Sequence, residues 1–188
     1  MKKKARSAIG VIVSLMLSVS LVVLGGCGGG GNAAKDTLTG TTAALMTQLM
    51  EKAKTKLSSG EEFPMTFDDA VTSDKSEFIL GLTSAQFGQY VTEATASTAA
   101  IATFAYQVAL VKCKSIKDAE TVVGLIAAGF NPMRWVCVSP EQCFVQQSGS
   151  YVLLVASSKT QAEALRAAFS DLAGGNVGTA NTFYTFAG

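Results

Sequence analysis

The sequence predicts an α+β fold: a mainly antiparallel sheet of about four strands, covered by helices. Three observations carry this. Apolar residues recur at helical spacing near both ends of the chain. Two internal segments are apolar on both faces. Short turn signals separate the later strands, which implies antiparallel pairing.

The elements follow in order. Residues 38–57 form the first helix, with Leu38, Leu45, Leu49 and Ala53 on one face, Met46 and Met50 beside it, and Ser58-Ser59-Gly60 as the stop. Residues 61–76 are polar and irregular, interrupted by Phe63-Pro64. A second helix is predicted over 84–93, where Thr83 with Gln86 matches a capping box and Leu82 with Phe87 a hydrophobic staple. Residues 101–112 read as a strand. Ser115 with Asp118 opens a helix over 116–128, which stops at Gly129 before Pro132. Residues 134–138, 143–147 and 151–156 read as three more strands. Ser139-Pro140-Glu141-Gln142 is the first turn between them and Ser148-Gly149-Ser150 the second. Thr160 with Glu163 reads as a third capping box, opening a helix over 160–173.

Strands 101–112 and 151–156, apolar on both faces, belong at the centre of the sheet. The last two helices are assigned to one face and the N-terminal helices to the other. Residues 38–173 make a single domain. The tail, 174–188, is Gly/Asn/Thr-rich but carries Phe183, Tyr184 and Phe186. It reads as either loose or a short edge strand.

The N-terminal segment has a different grammar. Lys2, Lys3, Lys4 and Arg6 form a basic head, Ile9 to Leu24 is nearly all apolar, and Leu24-Gly25-Gly26-Cys27 follows. This resembles the lipobox of bacterial lipoproteins. The resemblance implies a signal peptide over 1–26, cleavage between Gly26 and Cys27, and a diacylglycerol thioether on Cys27. A plain transmembrane anchor fits less well, because an apolar run of about 16 residues falls short of the roughly 20 that span a bilayer. An ordinary secretory signal with a coincidental cysteine is the third reading. Two acyl chains give stable anchoring where one does not. Gly28 to Gly31 and then Asn32 to Lys35 lack apolar anchors, so 27–37 reads as the lipidated cysteine and a flexible tether.

Removing the signal changes the charge balance. Four of the 15 basic residues lie in it, leaving 11 against 14 acidic residues, a net of −3. A mildly acidic domain argues against a nucleic-acid partner, which needs clustered Lys and Arg. The two loose clusters, Lys52/Lys54/Lys56 and Lys112/Lys114/Lys117, read as solvated element ends.

The segment Asn131-Pro132-Met133-Arg134-Trp135-Val136-Cys137-Val138, followed by Gly149-Ser150-Tyr151-Val152-Leu153-Leu154-Val155-Ala156, adds a second resemblance. With the lipobox and the short N-terminal helix, it is similar to the small lipoproteins grouped as domain of unknown function 4358. The similarity covers most of 38–172 and is strongest over 101–172; Ala94 to Ala102 matches less well. Its motifs are structural, so it implies a location and a fold but no chemistry.

The chain has no histidine. That removes Ser-His and Cys-His catalysis, His-zinc sites and the easiest general base near neutral pH. Ser115 beside Lys114 and Ser158 beside Lys159 are adjacent Ser-Lys pairs, but both serines sit where helix caps belong. Asp68, Asp69, Asp74 and Glu77 lack the loop grammar of a calcium site. No metal ligand set and no cofactor is expected. Three thiols remain after Cys27: Cys113, Cys137 and Cys143. They read as small buried hydrophobes or as one bridge and one leftover. If a bridge forms, Cys137–Cys143 is the favoured pair, since a turn at Pro140 would join their strands. Trp135 reads as core or lid. The expected function is a membrane-anchored extracytoplasmic module that binds an unidentified protein or envelope partner without catalysis. The alternative is an enzyme or small solute-binding protein whose site is built from scattered residues.

Overall fold

The computed structural model describes residues 35–186. In chain order the elements are α1 (Thr42–Lys54), β1 (Thr66–Ala70), α2 (Ser76–Leu80), α3 (Ser84–Tyr90), β2 (Val91–Ala99), β3 (Gln107–Cys113), α4 (Ile116–Gly129), β4 (Gln142–Ser148), β5 (Tyr151–Ser157), α5 (Lys159–Leu172) and β6 (Asn181–Thr185). The fold is α+β. Its one sheet has six strands in the order β1-β2-β3-β5-β4-β6, and every neighbouring pair is antiparallel. That is two more strands than the sequence led us to expect.

The two apolar strands occupy the middle, as expected. On β3, Val108 and Leu110 face one layer while Ala109, Val111 and Cys113 face the other. On β5, Leu153 and Val155 oppose Val152 and Leu154 in the same way. The helices divide differently from the expected arrangement. α1 and α5 cover one face, whereas α4 with the short α2 and α3 covers the other. The crossovers explain this. β3 runs through α4 to the parallel β4, skipping β5; β5 runs through α5 to the parallel β6, skipping β4. Both crossovers step the same way along the sheet but leave from strands of opposite direction. Right-handed connections must then use opposite faces.

Other expectations need correction as well. Residues 134–138 form a loop, not a strand. The sheet has no vacancy for them, because β5 takes one edge of β4 and β6, from the C-terminal tail, takes the other. The tail therefore belongs to the domain. The expected strand 101–112 begins only at Gln107, and 100–106 turn back to β2. The expected helix 84–93 ends at Tyr90, and Val91 already pairs with Cys113. The missed β1 is an edge strand with four of five residues exposed, so it carries no apolar alternation.

The caps are a finer check. Thr83 and Gln86 make the reciprocal capping box, and Ser115 accepts from the Asp118 N–H. The third box is displaced: the cap of α5 is Ser158, which accepts from the Gln161 N–H, and Thr160 lies inside the helix. At the N-terminal side, Asp36 accepts from the Ser150 N–H at 2.5 Å, and Thr37 donates to the Ala173 carbonyl at 2.9 Å. Residues 35–37, expected in the tether, are thus pinned to the domain. Among the described residues no helix is long and apolar enough to cross a membrane.

Candidate functional site

Two loops meet α2 at one end of the sheet: the β2–β3 turn (100–106) and the α4–β4 loop (130–141). Between them lies a cavity of about 310 Å³, whose wall includes Phe78, Thr98, Phe104, Tyr106, Arg134 and Trp135.

Arg134 is the centre of the site. Its guanidinium carbon lies 4.4 Å from the Phe78 ring centroid, 4.6 Å from that of Trp135 and 5.5 Å from that of Phe130. Such contacts attract a cation to the ring faces. One terminal nitrogen donates to the Phe78 carbonyl and the other to the Gln107 side-chain oxygen. Gln107 is fully buried, and its amide nitrogen donates in turn to the Ile79 carbonyl at 2.6 Å. The buried amide is therefore satisfied and aims the arginine. Burial lowers the guanidinium to about 10, so it stays charged at neutral pH. Among the described residues the one ion pair is Lys56–Asp171, so Arg134 has no carboxylate partner.

Two glycines let α2 approach closely enough to present Phe78. Gly81 caps α2 with φ 72°, and a Cβ there would overlap the Phe130 backbone nitrogen. A Cβ on Gly129 would overlap the Gly81 carbonyl oxygen. The end of α4 and the end of α2 thus touch backbone to backbone. β6 joins the same cluster through Phe183, 6.0 Å from the Phe130 ring.

The residues singled out from the sequence fall elsewhere, Trp135 excepted, which is a wall of the cavity. Cys27 and Gly26 lie outside the described residues. Cys113, Cys137 and Cys143 are free thiols. The strand pairing that favoured a Cys137–Cys143 bridge does not exist: Cys137 is exposed on a loop at φ 64°, and Cys143 is buried on β4 between Ala156 and Tyr184. Burial pushes both the Cys113 and the Cys143 thiol up to about 12. Ser115 and Ser158 are helix caps, and Lys114 donates to the Gly88 carbonyl instead of a serine. Among the described residues, no group of three or more His, Cys, Asp or Glu could hold a metal ion.

Sequence reasoning passed over Arg134, Gln107 and Phe78. One signal was present: Gln107 is a polar residue directly before the apolar run Val108 to Val111. No family model, curated protein or solved structure matches this chain.

Proposed function

We propose that the chain is a lipid-anchored extracytoplasmic binding module, attached to the membrane through Cys27 and non-catalytic. The resemblance to the domain of unknown function 4358 lipoproteins belongs to this reading. The observation that carries it is the separation of the two ends of the sheet. The chain joins the domain beside the β4–β5 hairpin, where Asp36 meets Ser150 and Lys35 meets Asn176. The Arg134 cavity lies at the opposite end, beyond Gln107 and Ser157. Seven-residue strands hold the two ends about 20 Å apart. An anchor at Cys27 would keep the hairpin end within a short tether of the bilayer and leave the cavity end free to face outward.

That outer end also carries the exposed apolar side chains Phe78, Ile101, Phe104, Met133 and Val136. Clustering of this kind marks interaction surfaces. The non-catalytic part of the reading rests on chemistry: the chain has no histidine, and the cavity wall holds no nucleophile beside a base. The cavity itself favours a second reading, a small-solute receptor, over an enzyme.

The test is the mass of the full-length chain recovered from membranes, with protease added to intact cells. Protein beginning at Cys27 with a diacylglycerol, digested from outside, supports the reading. Membrane material that retains Met1 to Gly26, or a domain shielded from outside protease, overturns it.

A further inference from the structure

We infer that the Arg134 cavity binds a carboxylate attached to an apolar body. The inference rests on the binding-module reading for its role, but its test leaves membrane attachment untouched.

The charge of the ligand follows from the occupancy of the aromatic cage. Rings that surround a cation site recognise cationic ligands when the site is empty. Here the chain's own guanidinium fills it, against Phe78, Trp135 and Phe130. The free ligand is therefore an anion. A guanidinium carries five N–H donors in a planar fork. Two are taken, by the Phe78 carbonyl and by Gln107. Three are left for a ligand, and the guanidinium carbon sits over the Phe78 and Trp135 rings at 4.4 and 4.6 Å from their centroids.

The anion is a carboxylate because its geometry matches the fork, which binds two oxygens in one plane. A phosphate ester would call for several cations, and Arg134 is the one basic residue of the cavity wall. No acidic side chain lines the cavity either, so nothing there repels the ligand. The remaining wall is apolar or lightly polar: Ile79, Ala99, Ala102, Phe104 and Tyr106, with Thr98 the one hydroxyl on the β2 side. This fits an aromatic or branched alkyl body. A cavity of about 310 Å³ is at the small end for ligand pockets, which suits one acid of amino-acid size. The same chemistry is offered by a free small acid and by the C-terminal residue of a peptide.

A purely structural role for Arg134, pinning the 131–136 loop to α2 and β3, is the competing account. The experiment separates them. Trp135 is the only tryptophan in the chain and lines the cavity, so its fluorescence reports occupancy. The full-length protein is titrated with phenylacetate, phenylacetamide, acetyl-Ala-Phe with a free C-terminus, and the same peptide amidated. An acid is expected to bind at least about tenfold tighter than its amide, the worth of a charge-assisted hydrogen bond. Binding of phenylacetate assigns the site to free acids; binding of the peptide acid alone assigns it to a chain terminus. Either result supports the carboxylate. Ala102→Phe, on the exposed part of the wall, keeps Arg134 and should abolish the response by filling the space. Arg134→Lys keeps a charge without the fork and should weaken binding. Equal affinity for acid and amide, or no response from any probe in a protein with unchanged melting, overturns the inference. Full binding by folded Ala102→Phe overturns it as well.

Discussion

The side-chain oxygen of Gln107 accepts a hydrogen bond from the Arg134 guanidinium, joining the first residue of β3 to a loop 27 positions later. Through its other end the same amide holds Ile79 of α2. Removing it leaves a charged donor and a carbonyl without partners. Gln107→Leu is expected to lower stability by about 2–3 kcal/mol and to shift the Trp135 emission. Urea unfolding within about 0.5 kcal/mol of the parent would show that the amide is dispensable.

The glycine contact between α2 and α4 should be equally unforgiving. Gly129→Ala is expected to cost more than about 2 kcal/mol, because the added methyl meets backbone and not a movable side chain. Gly124→Ala is the control. It lies in the same helix with open space around it, and should stabilise by roughly 0.5–1 kcal/mol. Thermal melts of the pair decide the matter; similar shifts would exclude the close approach.

The start of α5 can be read by two substitutions. Ser158→Ala removes the cap and should cost about 1 kcal/mol, whereas Thr160→Ala, inside the first turn, should cost little. The reverse order in chemical denaturation would restore the later start.

Cysteine chemistry gives a third contrast. Cys137 is exposed, while Cys113 and Cys143 are buried with thiols pushed up to about 12. Of these three thiols, Cys137 should react with a maleimide in the native protein and the other two only after unfolding. Peptide mapping without reductant that finds Cys137 joined to Cys143 would contradict this.

The Lys56–Asp171 pair ties the turn after α1 to the end of α5 at 2.6 Å. The hydrogen bond from Lys56 holds the Asp171 carboxyl below its usual value. A depressed folded-state value means the stabilisation is present above the unfolded carboxylate pKa. It fades as pH falls through the folded one. Melting temperature should therefore drop less between pH 6 and pH 3 in Asp171→Asn than in the parent. Both side chains are solvent-accessible, so added salt should shrink the difference.

The capping residues, the helical stripes and the two doubly apolar strands follow from the sequence, because each depends on neighbours within a few positions. Thr83 with Gln86 predicts its helix, and the unbroken apolar run from Tyr151 to Ala156 predicts a central strand. The lipobox resemblance at Cys27 is local in the same sense. The edge strands are not read this way. β1 is exposed at four of its five residues and has no alternation to display, and β6 becomes a strand only because β4 leaves an edge free. That same occupation of the β4 edge turns residues 134–138, strand-like in composition, into a loop. The Arg134 cavity depends on this outcome. Its parts come from α2, the start of β3 and a loop after α4, and no spacing rule links residues 78, 107 and 134. Only the packing of α2 on α4, through Gly81 and Gly129, brings the rings around the charge.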